Sequence, residues 1–156
     1  MKKWIIIICL GALFLATIFA WIIEKKDERA LKVLEAQLHT FEWFNEQIQL
    51  TNEVILSFSN NEASIETVDV SVNSLRNTYR LFLTSMYSLE LVETERFHMI
   101  QDLWDTYWKY TSFTDPLSKQ HLALLQEQGN EFTKVEKKIS NEVNELKRKQ
   151  RNYWWH

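Results

Sequence analysis

Glycine and proline are nearly missing from this chain, with two Gly and one Pro in 156 residues, where average usage supplies about eleven and about eight. Sheets joined by tight turns need those residues, and so do glycine-rich nucleotide loops. Gly11 lies inside an apolar run and Gly129 stands alone. A P-loop and a dinucleotide fingerprint, which need two and three spaced glycines, are therefore excluded. Cysteine occurs once, as Cys9, so no disulfide framework exists. Ile8 precedes it where a lipoprotein cysteine needs a small residue. Low Gly and Pro, with abundant Leu, Glu, Lys and Gln, predict an all-α protein.

Charge is absent from residues 4–23, WIIIICLGALFLATIFAWII, of which eighteen are apolar. Twenty helical residues rise about 30 Å, the thickness of a bilayer's hydrocarbon core. Trp4 and Trp21 stand at the ends, where amphipathic rings prefer the interface, and Lys2, Lys3, Lys25 and Lys26 bracket the run. A cleaved signal peptide would have a shorter apolar region and a small-residue cleavage site, and Ile18-Phe19-Ala20 is a poor one. The run reads as an uncleaved transmembrane helix. The basic start places the N-terminus in the cytoplasm and the rest of the chain outside, while Lys25, Lys26, Arg29 and Lys32 pull the other way. The overall character points to a bacterial plasma membrane.

After the span, heptad-like seams dominate. Leu31, Leu34, Leu38, Phe41, Ile48 and Ile55 keep 3-4 spacing, with Asn45 and Asn52 in the same register. Ser59 and Glu62 have the spacing of a capping box. A second seam runs through Ile65, Val68, Val72, Leu75, Tyr79, Phe82, Met86 and Leu89, and resumes after Glu93 and Arg96 at Ile100, Leu103, Tyr107 and Tyr110. Asp115-Pro116 reads as a helix start, and Leu125, Phe132, Val135, Ile139 and Leu146 form the last seam, in which Gly129 suggests a kink or short break. A helix over 27–58 rises about 48 Å from the membrane, and an unbroken return over some 50 residues would be about 75 Å long and overshoot. The expectation is an antiparallel bundle of four helices, 27–58, 63–92, 95–113 and 116–151, with a three-helix alternative in which the second is unbroken. The organisation is then a short tail over 1–3, a span over 4–23, a bundle over 24–152 and a basic-aromatic tail over 147–156.

Catalytic patterns are weak. Glu95 and His98 form one Glu-x-x-His, whereas a di-metal carboxylate bundle needs two with further carboxylates. Haem ligation has no better support, and no nucleophile elbow gathers Ser, His and Asp. No enzyme, metal or cofactor is expected. Two clusters stand out instead. Phe97, Trp104, Tyr107 and Trp108 make an apolar arc wider than a two-helix seam requires, a candidate partner-docking face. At the end, Lys147, Arg148, Lys149 and Arg151 precede Tyr153, Trp154 and Trp155, a pattern suited to an anionic membrane surface. Nucleic acid could use the same residues, but the chain after the span carries 16 Lys and Arg against 21 Asp and Glu. Residues 33–75 hold seven acids and no Lys or Arg, which reads either as pairing with the basic last helix or as an acidic face for a basic partner.

This layout resembles, in architecture over residues 4–151, the extracytoplasmic four-helix sensor domains of bacterial chemoreceptors and histidine kinases. Inner-membrane spanins and small division proteins also pair a short N-terminal span with a coiled segment. The expected function is that of a membrane-anchored bundle acting through protein-protein interaction, as an accessory, regulatory or immunity-type factor, with homo-oligomerisation open and no nucleic acid partner. The competing expectation is a small-molecule sensor domain of that four-helix type, in which the seam and the aromatic cluster, not the resemblance, suggest a molecule held between helices near Trp104 and Trp108 with Asn45 and Asn52 as lining.

Overall fold

The computed structural model describes residues 2–91, 94–111 and 117–153, with side chains described over 11–91, 94–111 and 117–151. The described elements are four helices: α1 (Lys2–Ser59), α2 (Ile65–Ser88), α3 (Glu95–Tyr110) and α4 (Lys119–Tyr153). Among the described residues there is no strand. The all-α, four-helix expectation therefore holds. The apolar run and the first expected bundle helix form one unbroken element, because no Gly-Pro signal or cap interrupts residues 24–30. Among the described residues no helix is long and apolar enough to cross a membrane. The side chains of residues 1–10, which supply part of the uncharged run, lie outside them.

Two compact units are distinguished, one of residues 1–35 with 142–156 and one of residues 36–141. In the first, Leu31 and Val143 are buried, and Lys147 pairs with Glu35 at 2.7 Å. Every described side chain from 11 to 23 is exposed. In the second, Phe41, Phe44, Phe82 and Phe132 are fully buried. Phe44 stands 5.2 Å from Phe82, stacked, and meets Phe132 edge-on at 5.6 Å. Such pairs add about 0.5–1.5 kcal/mol beyond area burial. Ile48, Ile55, Leu75, Ile100, Leu125 and Ile139 also belong to this core.

Helices α1 and α2 end on the same device. Asn61 and Glu90 adopt positive φ, 62° and 56°. Asn61 N–H donates to Phe58 O and Glu62 N–H to Ser57 O; Glu90 N–H donates to Tyr87 O and Leu91 N–H to Met86 O. These are Schellman closures, normally built with Gly. Ser64, not Ser59, caps α2, accepting from Thr67 N–H. The expected Ser59–Glu62 box fails because Ser59 still belongs to α1, where its buried hydroxyl has no partner. The break expected at Glu93 falls between α2 and α3, where Thr94 caps α3 by accepting from Phe97 N–H; residues 92 and 93 lie outside the described set. So do Asp115 and Pro116, the expected start of the last helix, which is described from Lys119.

The helix has no break at Gly129, since α4 runs through it. Its reason is steric. A Cβ there would overlap the Asn52 Nδ2 of α1. Gln49 Nε2 also donates to Gly129 O at 3.1 Å. A helix-interior Gly costs about 1 kcal/mol against Ala, and here it lets two helices approach at an amide layer.

Candidate functional site

The expected docking face on α3 is a correction. Phe97, Trp104 and Tyr107 are buried at 3 %, 6 % and 0 % exposure, and Trp108 is half-buried. Tyr79 stacks on Trp104 at 4.0 Å between centroids, and Trp108 covers it at 5.2 Å. Arg76 lies 4.7 Å above the Trp108 ring, a cation–π contact. The wide apolar arc exists because α3 packs against several helices at once, which turns Phe97, Trp104 and Tyr107 into the core and leaves only Trp108 partly exposed. Burial pushes the Tyr79 phenol up to about 12, and burial likewise raises that of Tyr107.

The expected ligand lining is also rearranged. Asn45 Nδ2 donates to Glu136 at 2.7 Å, and Asn52 Oδ1 accepts from the Tyr107 hydroxyl at 2.8 Å. Trp104 is part of the core. Asn52 instead borders a cavity of about 230 Å³ lined by Gln49, Glu53, Leu56, Gln126 and Asn130.

Of the interface anchors, Trp21 is exposed, Lys26 is exposed and Lys25 donates to Glu28 at 2.7 Å. Lys32 donates to the same carboxylate at 2.8 Å. Hydrogen bonds from Lys25 and Lys32 hold the Glu28 carboxyl down at about 2. The side chains of Lys2, Lys3 and Trp4 lie outside the described residues. In the tail, Lys147, Arg148, Lys149 and Arg151 are all exposed. Tyr153 ends α4, with its side chain outside the described set, as are Trp154 and Trp155.

A surface that the seams did not flag lies between α1 and α2. His39, Glu42, Trp43 and Glu46 occupy one stripe of α1 at spacings of three, one and three. With Thr40 and Leu81 they line an open groove of about 530 Å³. Trp43 is 47 % exposed and Leu81 53 %. The Thr40 and Ser85 hydroxyls, 3.2 Å apart in a hydrogen bond, join the two helices at this level. The missed signal was a tryptophan off the seam, between two glutamates, on a stretch without Lys or Arg. Chemically the groove offers an apolar surface between carboxylates, which suits recognition rather than bond making. Among the described residues, no three His, Cys, Asp or Glu side chains are grouped to hold a metal ion.

Comparison with protein-family models, with curated proteins and with solved structures finds no match to this chain.

Proposed function

We propose that this chain is a single-pass membrane protein whose helical bundle acts by binding another protein, as an accessory, regulatory or immunity-type factor and not as a catalyst. The observation that carries the interaction is the Trp43–Leu81 groove, where two large apolar side chains are half in water beside Glu42 and Glu46. Trp is a favoured interface anchor, and the carboxylates favour a basic partner segment. Residues 4–23 are the anchor in this reading, with the N-terminus cytoplasmic and the bundle outside a bacterial plasma membrane. It is supported by the uncharged sequence and by the exposure of Leu13, Phe14, Leu15, Ile18, Phe19, Ile22 and Ile23 among the described residues. The tail from Lys147 to Trp155 rests on the same membrane surface. Its support is the Lys147–Glu35 pair, which holds the end of α4 beside the part of α1 that follows the anchor.

A photo-crosslinking residue replacing Trp43 in the membrane-bound full chain tests the interaction. Discrete adducts with a basic partner are expected, lost when Glu42→Lys and Glu46→Lys are combined. Adducts that persist unchanged in the charge-reversed variant would refute the groove. Release of the full chain by alkaline carbonate washing would refute the anchor separately.

A further inference from the structure

Asn52 is a seam residue at 9 % exposure, and its two amide atoms have different fates. Oδ1 accepts from the Tyr107 hydroxyl at 2.8 Å, which fixes the amide's orientation. Nδ2 lies against Gly129 and donates to no protein atom among the described residues. Nδ2 is not sealed from the exterior either, since the only fully enclosed unpartnered side-chain atom among the described residues is the Ser59 hydroxyl. Asn52 is one of the residues that line a cavity of about 230 Å³, with Gln49, Glu53, Leu56, Gln126 and Asn130.

The lining has a definite chemistry. Two further side-chain amides, Gln126 and Asn130, can donate or accept, Gln49 Nε2 being engaged with Asn45, Gly129 and Thr133, and Leu56 supplies one apolar wall. Glu53 is the single charged side chain of the lining. No Lys or Arg occurs from 33 to 75 to neutralise it from its own helix. Gly129 is what admits the arrangement, because any side chain there would drive into the Asn52 amide. The glycine is retained in a helix interior at a cost, and its effect is to leave an unpaired donor on a residue that lines the cavity.

We propose that this cavity is a binding site for a small ammonium compound that also carries an oxygen acceptor, the ammonium facing Glu53 and the oxygen accepting from Asn52 Nδ2. Charge-assisted contact with Glu53 supplies orientation, and the surrounding amides supply hydrogen bonds that water would otherwise make. The site belongs to residues 49–56 and 126–130 and does not depend on the membrane anchor or on the Trp43 groove.

The test uses the full chain in neutral detergent micelles, with Tm followed by circular dichroism. Three probes separate the chemistry: ethanolamine has both groups, methylammonium only the charge, ethylene glycol only the oxygens. Ethanolamine should raise Tm saturably, and the other two should act at least about tenfold more weakly. Glu53→Gln changes an exposed side chain and should weaken ethanolamine about tenfold or more without altering the spectrum. Gly129→Ala should abolish the response by displacing the Asn52 amide. If that variant fails to fold, Glu53→Gln alone decides. No saturable shift with ethanolamine, or an equal one in Glu53→Gln, would overturn the proposal.

Discussion

One helix, α1, meets two different surroundings. Over residues 11–23 it is apolar on every side, and each described side chain is exposed. Over residues 36–59 it is amphipathic, and Phe41, Phe44, Ile48 and Ile55 disappear into a core while Glu42, Glu46 and Glu53 face out. A helix apolar all round has no direction in which to bury itself within a small bundle, whereas a stripe selects one. Hydrophobicity alone thus does not locate a core; its angular distribution does.

The largest way to sharpen this contrast is truncation at each end of α1. Phe44→Ala removes a ring that touches Phe41, Phe82, Trp104 and Phe132, and should cost about 3–5 kcal/mol in a denaturant titration. Phe14→Ala, on a side chain 66 % exposed, should leave the same midpoint unchanged. Equal losses would mean that residues 11–23 also pack within the protein.

At the tail, replacing Lys147, Arg148, Lys149 and Arg151 together with Gln should remove about 1 kcal/mol of attraction to anionic lipid per base at low salt. A polarity-sensitive dye on a His156→Cys, Cys9→Ser chain reports it. The dye should shift toward the apolar limit in anionic vesicles and less in neutral ones, with the difference lost in the Gln variant and at high salt. Insensitivity of the dye to lipid charge would remove the tail from the membrane surface.

A charge in the apolar end separates insertion from folding. Leu15→Arg should disfavour membrane insertion by about 3 kcal/mol, seen as a larger soluble fraction, while helical content and the denaturation midpoint of the bundle stay the same.

Within the core, Tyr107→Phe deletes the donor to Asn52 and should cost about 1–3 kcal/mol at neutral pH. Tyr79 and Tyr107 are raised above their ordinary value of 10.0 by burial. The unfolded chain therefore releases these protons first as pH rises. Their contribution is intact below about pH 10 and declines through pH 12. Denaturation midpoints measured at pH 8 and pH 11 should fall less steeply for Tyr107→Phe than for the parent.

The smallest effect is a gain. Glu90→Gly relieves a left-handed residue at the end of α2 and should stabilise by about 1 kcal/mol. The corresponding Asn61→Gly should gain less, since Asn tolerates that conformation.

The seams were legible because 3-4 spacing of large apolar residues leaves few alternatives: Phe41, Ile48, Ile55, Leu75, Phe82, Ile100 and Ile139 are all buried. Phe44 was not in the predicted seam, since it lies beside the register line and is drawn inside by Phe82 of α2 and Trp104 of α3. Asn45 and Asn52 were visible as polar breaks, but their partners, Glu136 and Tyr107, are 91 and 55 residues away. Gly129 read as a weak point in a helix because the Asn52 amide that needs its missing Cβ is on another one.

What the sequence determined by itself was the class and the register: few Gly and Pro, long runs of helix formers, spaced apolar positions and one uncharged stretch over 4–23. These are local properties, set by backbone propensity and by which side of a helix an apolar residue occupies. Only the tertiary structure decided which aromatics are hidden. Phe97, Trp104 and Tyr107 are enclosed, while Trp43 remains 47 % exposed. A side chain's burial depends on what other helices bring within about 4 Å of it, and no spacing within one helix encodes those neighbours.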